Sequence, residues 1–141
     1  KMDVDKASEF LNKKCEVKNG ELFNKATKRR VKAILPVHIL GHPCDVSPLI
    51  EIADKYNLQI IEDATESLGA TYNGQMVGTF GSVACLSFNG NKLITTGGGG
   101  MIVTDDSRLA ARAQYLTTQA KDDPVEYFHS SKIQHQLRRH S

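Results

Sequence analysis

Residues 31–63 read VKAILPVHILGHPCDVSPLIEIADKYNLQIIED. The apolar run over residues 33–36 has the length of a strand, and Ser47-Pro48 is typical of a helix start, because a serine oxygen caps free amides and proline fits the first turn. Asn57 indicates the end of that helix, and residues 58–62 form a second apolar run. This order of strand, loop, helix and strand predicts a right-handed parallel crossover.

The rest of the chain extends this pattern. Apolar runs predict two further strands over residues 83–88 and 101–104, and Tyr72-Asn73-Gly74-Gln75 predicts a hairpin turn, since Asn-Gly accepts positive φ angles. Helical spacing predicts an N-terminal helix around Lys6 to Lys14, and a second helix that begins at Asp105 or Asp106 and runs to about Thr118. We therefore predict an α/β domain whose mostly parallel sheet contains strands 33–36, 58–62, 83–88 and 101–104.

Composition and charge exclude several classes of protein. The 141 residues suffice for one core, and 40% hydrophobic with 24% charged residues is ordinary for globular proteins. No apolar run approaches the ~20 residues of a membrane span, and no secretory leader pattern opens the chain. Residues 1–32 carry ten Lys/Arg and five Asp/Glu, residues 33–129 five and eleven, and residues 130–141 three and none. We interpret the basic ends as solvated segments rather than as a nucleic-acid surface.

The cysteines and histidines show no metal-ligand spacing. Cys15, Cys44 and Cys85 form no C-x-x-C pair, and their odd number argues against a disulfide framework. The five histidines lack cysteine or carboxylate partners at zinc spacing. We expect no metal site, and the free thiols favour the reducing cytoplasm.

Two carboxylates follow the strand over residues 58–62. Asp63 lies where α/β proteins bind ligands, at the carboxyl edge of the sheet, and it could hold a cationic ring nitrogen, a metal or a ribose hydroxyl. It could equally cap the backbone at Thr65 and Glu66, and position alone leaves both interpretations open. Glu66 could be part of that cap or could face the same ligand as Asp63.

A lysine follows the next strand. Lys92 stands between the strand over residues 83–88 and the glycines 97–100, where burial would favour a neutral amine that can form a Schiff base. Loop lysines are more often solvated, so this alternative stays open. Ser87 supplies a hydroxyl suited to a phosphate, and His38 follows a strand end and either faces the edge near Asp63 or is a satisfied loop histidine.

Five stretches in register resemble the DegT/DnrJ/EryC1/StrS family of sugar aminotransferases. They are Pro36-Val37-His38-Ile39-Leu40-Gly41, Ile60-Ile61-Glu62-Asp63-Ala64, Gly78-Thr79-Phe80-Gly81, Ser87-Phe88-x-x-x-Lys92, and Thr95-Thr96-Gly97-x-Gly99-Gly100. The resemblance implies the large domain of the pyridoxal-phosphate-dependent transferase fold type I, a three-layer α/β/α architecture with a mainly parallel sheet, here incomplete.

The resemblance also implies a role for each candidate residue. Lys92 would bind pyridoxal phosphate covalently and move protons during catalysis, and Asp63 would pair with the protonated ring nitrogen. Glu66 would lie near the ring and its phenolic oxygen, Ser87 would bind the phosphate, and Thr65 stands where the family commonly has Ala against the ring. His38 is a candidate for substrate binding. We expect Asp63, Ser87 and Lys92 to converge on one pocket.

The implied activity is transamination, because family members that act as dehydratases have histidine in place of this lysine. The segment Asn89-Gly90-Asn91-Lys92-x-Ile94-Thr95-Thr96-Gly97 resembles members that aminate nucleotide-linked 4-keto-6-deoxy sugars for cell-surface polysaccharides and glycans, with glutamate as the expected donor and a homodimer as the expected full-length enzyme.

Family members are two to three times as long, so the chain is expected to be a central fragment. We predict a partial cofactor-binding large domain over residues 1–129 and an atypical basic tail over residues 130–141, which matches nothing that we recognise in the family. The 141 residues by themselves are expected to be inactive or nearly so. The alternatives are a catalytically inactive α/β fragment of such an enzyme and, least favoured, a nucleic-acid binder.

Overall fold

The computed structural model describes residues 1–118 of the chain. The helices are α1 (Val4–Lys14), α2 (Val46–Tyr56) and α3 (Ser107–Thr117), and a short 3-10 turn covers Ile39–Gly41. The strands are β1 (Cys15–Lys18), β2 (Glu21–Asn24), β3 (Arg30–Val31), β4 (Ala33–Ile34), β5 (Gln59–Asp63), β6 (Thr71–Tyr72), β7 (Gln75–Met76), β8 (Val83–Ser87) and β9 (Gly100–Val103). Residues 119–141, which include the predicted tail, lie outside the described part.

The main sheet has four strands in the order β4-β5-β8-β9. The β4–β5 and β5–β8 pairs are parallel, whereas β9 returns antiparallel to β8. Ile34 pairs with Ile60, and Asp63 pairs with Cys85, so the carboxyl ends of β5 and β8 meet at one edge. The predicted strands therefore share one mostly parallel sheet, and the predicted parallel connection from β4 through α2 to β5 is confirmed.

Helix α2 covers part of this sheet because its apolar residues recur on one face. Val46, Leu49 and Ala53 are buried, and the helix packs on β4 and β5, with α1 packed against it in turn. Its start differs from the prediction: Asp45, not Ser47, is the N-cap. Pro48 is therefore the third helical residue, still within the first turn, where its missing N–H leaves no hydrogen bond unmade. Asn57 ends the helix in the left-handed conformation, as predicted.

The N-terminal region contains a small antiparallel sheet that the sequence did not predict. Its order is β1-β2-β3, and the turn between β1 and β2 lies at Asn19-Gly20, where both φ angles are positive. Leu22 is buried on this sheet, whereas Val17 is 59% exposed. The core of residues 1–105 joins Leu11 and Leu22 to buried side chains of β4, α2 and β5.

Helix α3 belongs to a second compact unit that begins at Asp106. Asp106 caps it by accepting hydrogen bonds from the N–H groups of Arg108 (2.8 Å) and Leu109 (3.3 Å), which lower the pKa of its carboxyl. The predicted helix is thus confirmed, with Asp106 rather than Asp105 as its cap. No helix among the described residues is long and apolar enough to cross a membrane.

Gly81 lies too close to β5 for any side chain. A Cβ there would meet the carbonyl oxygen of Ile60 at 2.5 Å, whereas a Cβ at Gly90 would meet no atom within 4 Å. We expect Gly81→Ala to lower the free energy of unfolding by about 1–3 kcal/mol, because the backbone must shift to accept the methyl group. Gly90→Ala, the matched control, should change it by less than about 0.5 kcal/mol. Urea denaturation of both variants measures the difference, and equal midpoints would contradict the predicted crowding.

Candidate active site

Asp63 ends β5 and is held firmly by its backbone. Its N–H donates to Pro36 O (2.9 Å), and its carbonyl accepts from His38 N–H (3.0 Å). Of its half-buried carboxylate, Oδ1 accepts from the N–H (3.2 Å) and the hydroxyl (2.7 Å) of Thr65, while Oδ2 has no hydrogen bond from any described residue. The capping interpretation is therefore confirmed for one oxygen, and the ligand-binding interpretation stays a prediction for the other.

Glu66 joins two segments that are far apart in sequence. Its Oε2 accepts the backbone N–H of Leu40 at 2.9 Å, and its Oε1 lies 3.5 Å from Nζ of Lys92. The Leu40 N–H most strongly, and then the charge and hydrogen bond of Lys92, lower the pKa of the Glu66 carboxyl, while burial and, more weakly, the Asp63 charge raise it, and the net direction is downward. Glu66 is therefore an anion at neutral pH, and it contacts the Lys92 amine near the edge where Asp63 ends β5.

Lys92 lies in a loop that folds back on the end of β8. Phe88 N–H donates to Gly99 O and Thr96 N–H to Phe88 O, each at 3.0 Å, so the ends of the loop are tied together. The Lys92 N–H donates to Asn89 O at 3.0 Å, and its side chain is only 17% exposed. The lysine is thus ordered and largely covered, rather than solvated as most loop lysines are.

Ser87 occupies the last position of β8, two residues beyond the partner of Asp63. It is half-buried, and its Oγ accepts a long hydrogen bond from Asn89 N–H (3.4 Å). Within residues 1–118 it makes no hydrogen bond to Asp63, Thr65, Glu66 or Lys92. The structure therefore places Ser87 at the same edge as these residues without a hydrogen bond to them, and its convergence with Asp63 and Lys92 on one pocket stays a prediction.

His38 does not face a substrate. Its ring is fully buried, and Nδ1 accepts the backbone N–H of Cys44 at 3.0 Å. The proton of the ring is therefore on Nε2, which lies 3.2 Å from Oε2 of Glu62 and donates to it. The substrate-binding role is corrected to the structural one that the sequence left open, because both ring nitrogens are used inside the fold.

Glu62 is the residue that sequence reasoning missed. It is fully buried, and besides His38 it accepts three backbone N–H groups, from Gly78 at 2.8 Å and from Phe80 and Gly81 at 2.7 Å each. The signal was present in the alternation along β5, where Ile60 and Glu62 share the buried face. A charged residue at a core position indicates a network of donors around it.

Among residues 1–118, no group of three or more His, Cys, Asp and Glu side chains is arranged to hold an ion. A primary amine, an anion with a free oxygen and a hydroxyl at one sheet edge are instead suited to an organic ligand that carries a carbonyl, a basic nitrogen and a phosphate.

Comparison with known proteins identifies the family. The sequence model of the DegT/DnrJ/EryC1/StrS aminotransferase family matches residues 9–138. The chain belongs to this family. The prediction made from the five short motifs is thereby confirmed, over a longer range than those motifs cover.

Individual members of the DegT/DnrJ/EryC1/StrS family are similar to this chain in sequence and in structure. GDP-perosamine synthase of Caulobacter vibrioides is 50% identical over 99 residues, which cover 70% of this chain and 27% of that protein. The crystal structure of a family aminotransferase from Brucella abortus superposes with a TM-score of 0.75 at 28% identity, over 91% of this chain and 32% of that one. A GDP-4-keto-6-deoxymannose-3-dehydratase with a trapped PLP-glutamate geminal diamine gives a TM-score of 0.58 at 33% identity, over 74% and 23% of the two chains.

These superpositions confirm the predicted α/β fold of the DegT/DnrJ/EryC1/StrS family. The chain spans less than a third of the length of each of these three proteins. The fold is therefore shared over less than a third of their length, and the domain boundary at residue 129 remains a prediction.

The buried carboxylate of Glu62 offers a test of the packing beside the site. Glu62→Gln places an amide nitrogen against backbone N–H donors in either orientation, so we expect a loss of about 1.5–3 kcal/mol in the free energy of unfolding, the contribution of a hydrogen bond to a charged group. Glu51→Gln, on the exposed face of α2, is the matched control and should change it by less than about 0.5 kcal/mol. Chemical denaturation at neutral pH measures both, and a Glu62→Gln variant as stable as the control would disprove the network.

Proposed function

We propose that the chain is part of a pyridoxal-phosphate-dependent aminotransferase that aminates a nucleotide-linked 4-keto-6-deoxy sugar. The observation that carries the proposal is the Lys92 amine, largely covered and held 3.5 Å from Glu66 at the edge where Asp63 ends β5. Membership of an aminotransferase family supports the same conclusion. The nearest alternative is a catalytically inactive α/β fragment of such an enzyme.

The residues at the edge fit this cofactor. Asp63 would hold the ring nitrogen through Oδ2, the carboxylate oxygen that no described residue uses, and Ser87 would bind the phosphate through its hydroxyl. Lys92 would hold the aldehyde carbon through Nζ, with Thr65 beside the ring and Glu66 near its phenolic oxygen. When bound, pyridoxal phosphate supplies an aldehyde that condenses with amines and a ring that takes up electron density.

The chain's own groups then have defined tasks. Asp63 would accept the N–H of the ring, and Thr65 fixes the orientation of its carboxylate through two hydrogen bonds to Oδ1. Lys92 Nζ would act as general acid and base, a task that needs an amine within reach of the two carbons between which a proton moves. The loop 88–99 keeps that amine in place by its own backbone hydrogen bonds.

The names of the relatives support a proposal for the substrate and the donor. The relative from Caulobacter vibrioides is named for GDP-perosamine, and the dehydratase structure holds glutamate on its cofactor. We propose a nucleotide-linked sugar as acceptor and glutamate as donor, in the synthesis of sugars for cell-surface polysaccharides or glycans. The full-length enzyme is proposed to be a cytoplasmic homodimer; the three free cysteines support that compartment.

Covalent capture tests the assignment of Lys92. The chain is incubated with pyridoxal phosphate and reduced with borohydride, and the modified lysine is identified by peptide mass spectrometry. We expect the label on Lys92, because it is the covered amine at the sheet edge, and we expect Lys92→Arg to abolish it. Lys55→Arg, which replaces an exposed lysine of α2, should retain it. Label spread evenly over the exposed lysines would support the inactive-fragment alternative.

The free oxygen of Asp63 gives a second test. Asp63→Asn keeps the shape but removes the charge that would hold a protonated ring nitrogen. We expect pyridoxal phosphate to bind about 10- to 150-fold more weakly, which corresponds to the ~1.5–3 kcal/mol of a hydrogen bond to a charged group. Fluorescence titration measures the affinity, with the exposed Asp54→Asn as matched control. Equal affinities for the two variants would remove Asp63 from the site.

A further inference from the structure

The turn from His38 to His42, here called the 38–42 turn, contains a strained residue. Leu40 has φ 53° and ψ 38°, the left-handed conformation, which a bulky side chain disfavours. Its side chain is 85% exposed, so packing does not enforce this conformation. Gly41 follows with φ 73°, where glycine is the suitable residue.

Contacts at both ends and at the centre hold the turn. The buried His38 ring accepts the N–H of Cys44, itself fully buried, and His42 N–H donates to Ile39 O at 3.0 Å. At the centre, Leu40 N–H donates to Glu66 Oε2 at 2.9 Å. The strained conformation therefore presents one backbone donor to a carboxylate of the candidate site.

We propose that the 38–42 turn is a positioning element of the lysine site, in which Leu40 N–H fixes the Glu66 carboxylate beside Lys92 and keeps it there after the amine has reacted with a carbonyl ligand. The carbonyl ligand in this proposal rests on the proposed function, whereas the contacts among Leu40, Glu66 and Lys92 are present in the chain itself. Leu40 and Gly41 act here only through Glu66, as positioning residues.

The order of the effects on Glu66 supports this. The hydrogen bond from Leu40 N–H is the largest single influence that lowers the pKa of the Glu66 carboxyl; the charge of Lys92 and its hydrogen bond lower it further, and burial and Asp63 raise it. When Lys92 loses its charge, the hydrogen bond from Leu40 N–H remains. The ionised contact is complete above the ordinary pKa of a glutamate and is lost as the pH falls through the lowered value.

The first experiment follows the Leu40 amide resonance by NMR as a function of pH, in the chain without cofactor. We expect a titration with a midpoint below the ordinary glutamate value of about 4.3. It should persist in Lys92→Met with a small upward shift, and vanish in Glu66→Gln. A midpoint that returns to the ordinary value in Lys92→Met would overturn the proposal, because Lys92 would then be what holds Glu66.

The second experiment disturbs the turn and leaves Glu66 and Lys92 unchanged. Gly41→Val introduces a branched side chain at φ 73°, and Gly20→Val, at φ 77° in the β1–β2 turn, is the matched control. We expect the first to raise the pKa of Glu66 and to slow borohydride-trapped capture at Lys92 severalfold, and the second to do neither. If the Gly41→Val variant does not fold, Gly41→Ala takes its place in the experiment. Unchanged capture by a folded Gly41 variant would overturn the proposal.

The two experiments separate this proposal from the function on which it rests. If the unmodified chain captures no pyridoxal phosphate at Lys92, the proposed function fails, and the titration alone decides whether Leu40 positions Glu66. If capture occurs but the titration does not match, the positioning proposal fails and the function stands.

Discussion

The carboxylate of Glu62 is the interaction on which the rest of this edge depends. An ionised group without water costs several kcal/mol unless donors surround it. Glu62 receives four, three from the backbone of residues 78–81 and one from His38, which in turn is fixed by Cys44. Both segments that flank β5 are therefore tied to one residue, and neither can move without leaving a buried charge or an N–H unpaired. The same contacts fix the position of Asp63, because it is the next residue of the same strand.

Three carboxylates within five residues thus serve three purposes because their surroundings differ. Glu62 points into the core and is saturated with donors. Asp63 points to the other face of the sheet, half-buried, with one oxygen used by Thr65 and one available. Glu66 is exposed and bridges a backbone N–H and an ammonium group. Of the three, Asp63 combines partial shelter with an unused oxygen, the combination that a cationic ring nitrogen requires.

The sequence pattern predicted the elements whose formation depends on residues that are neighbours in sequence. The strands of the main sheet, helix α2 with its end at Asn57, and the hairpin at Asn73-Gly74 follow from apolar runs and turn residues. The N-terminal sheet was not predicted from the sequence, because β1 and β3 are short and partly exposed. Their strand conformation comes from pairing with β2. The partners of Glu66 and the role of His38 depend on contacts 24 to 26 residues apart in sequence, which spacing alone does not reveal.

The ion pair between Lys92 and Glu66 is weak, and this weakness matters for the chemistry of the amine. At 3.5 Å, with an exposed carboxylate, this ion pair contributes little to stability. Its effect is to place the amine, which the tied loop 88–99 has already brought to the edge, without binding it tightly. An amine that must react with a carbonyl has to leave its counter-ion, and a strong pair would oppose that step. The stronger contacts are the hydrogen bonds to Glu62 and the hydrogen bond from Leu40 N–H to Glu66. Because they do not involve Lys92, the arrangement of the edge is kept when the ion pair breaks. Under the proposed function, rigid support around a weakly held amine is the physical basis on which the edge would position Lys92 for reaction.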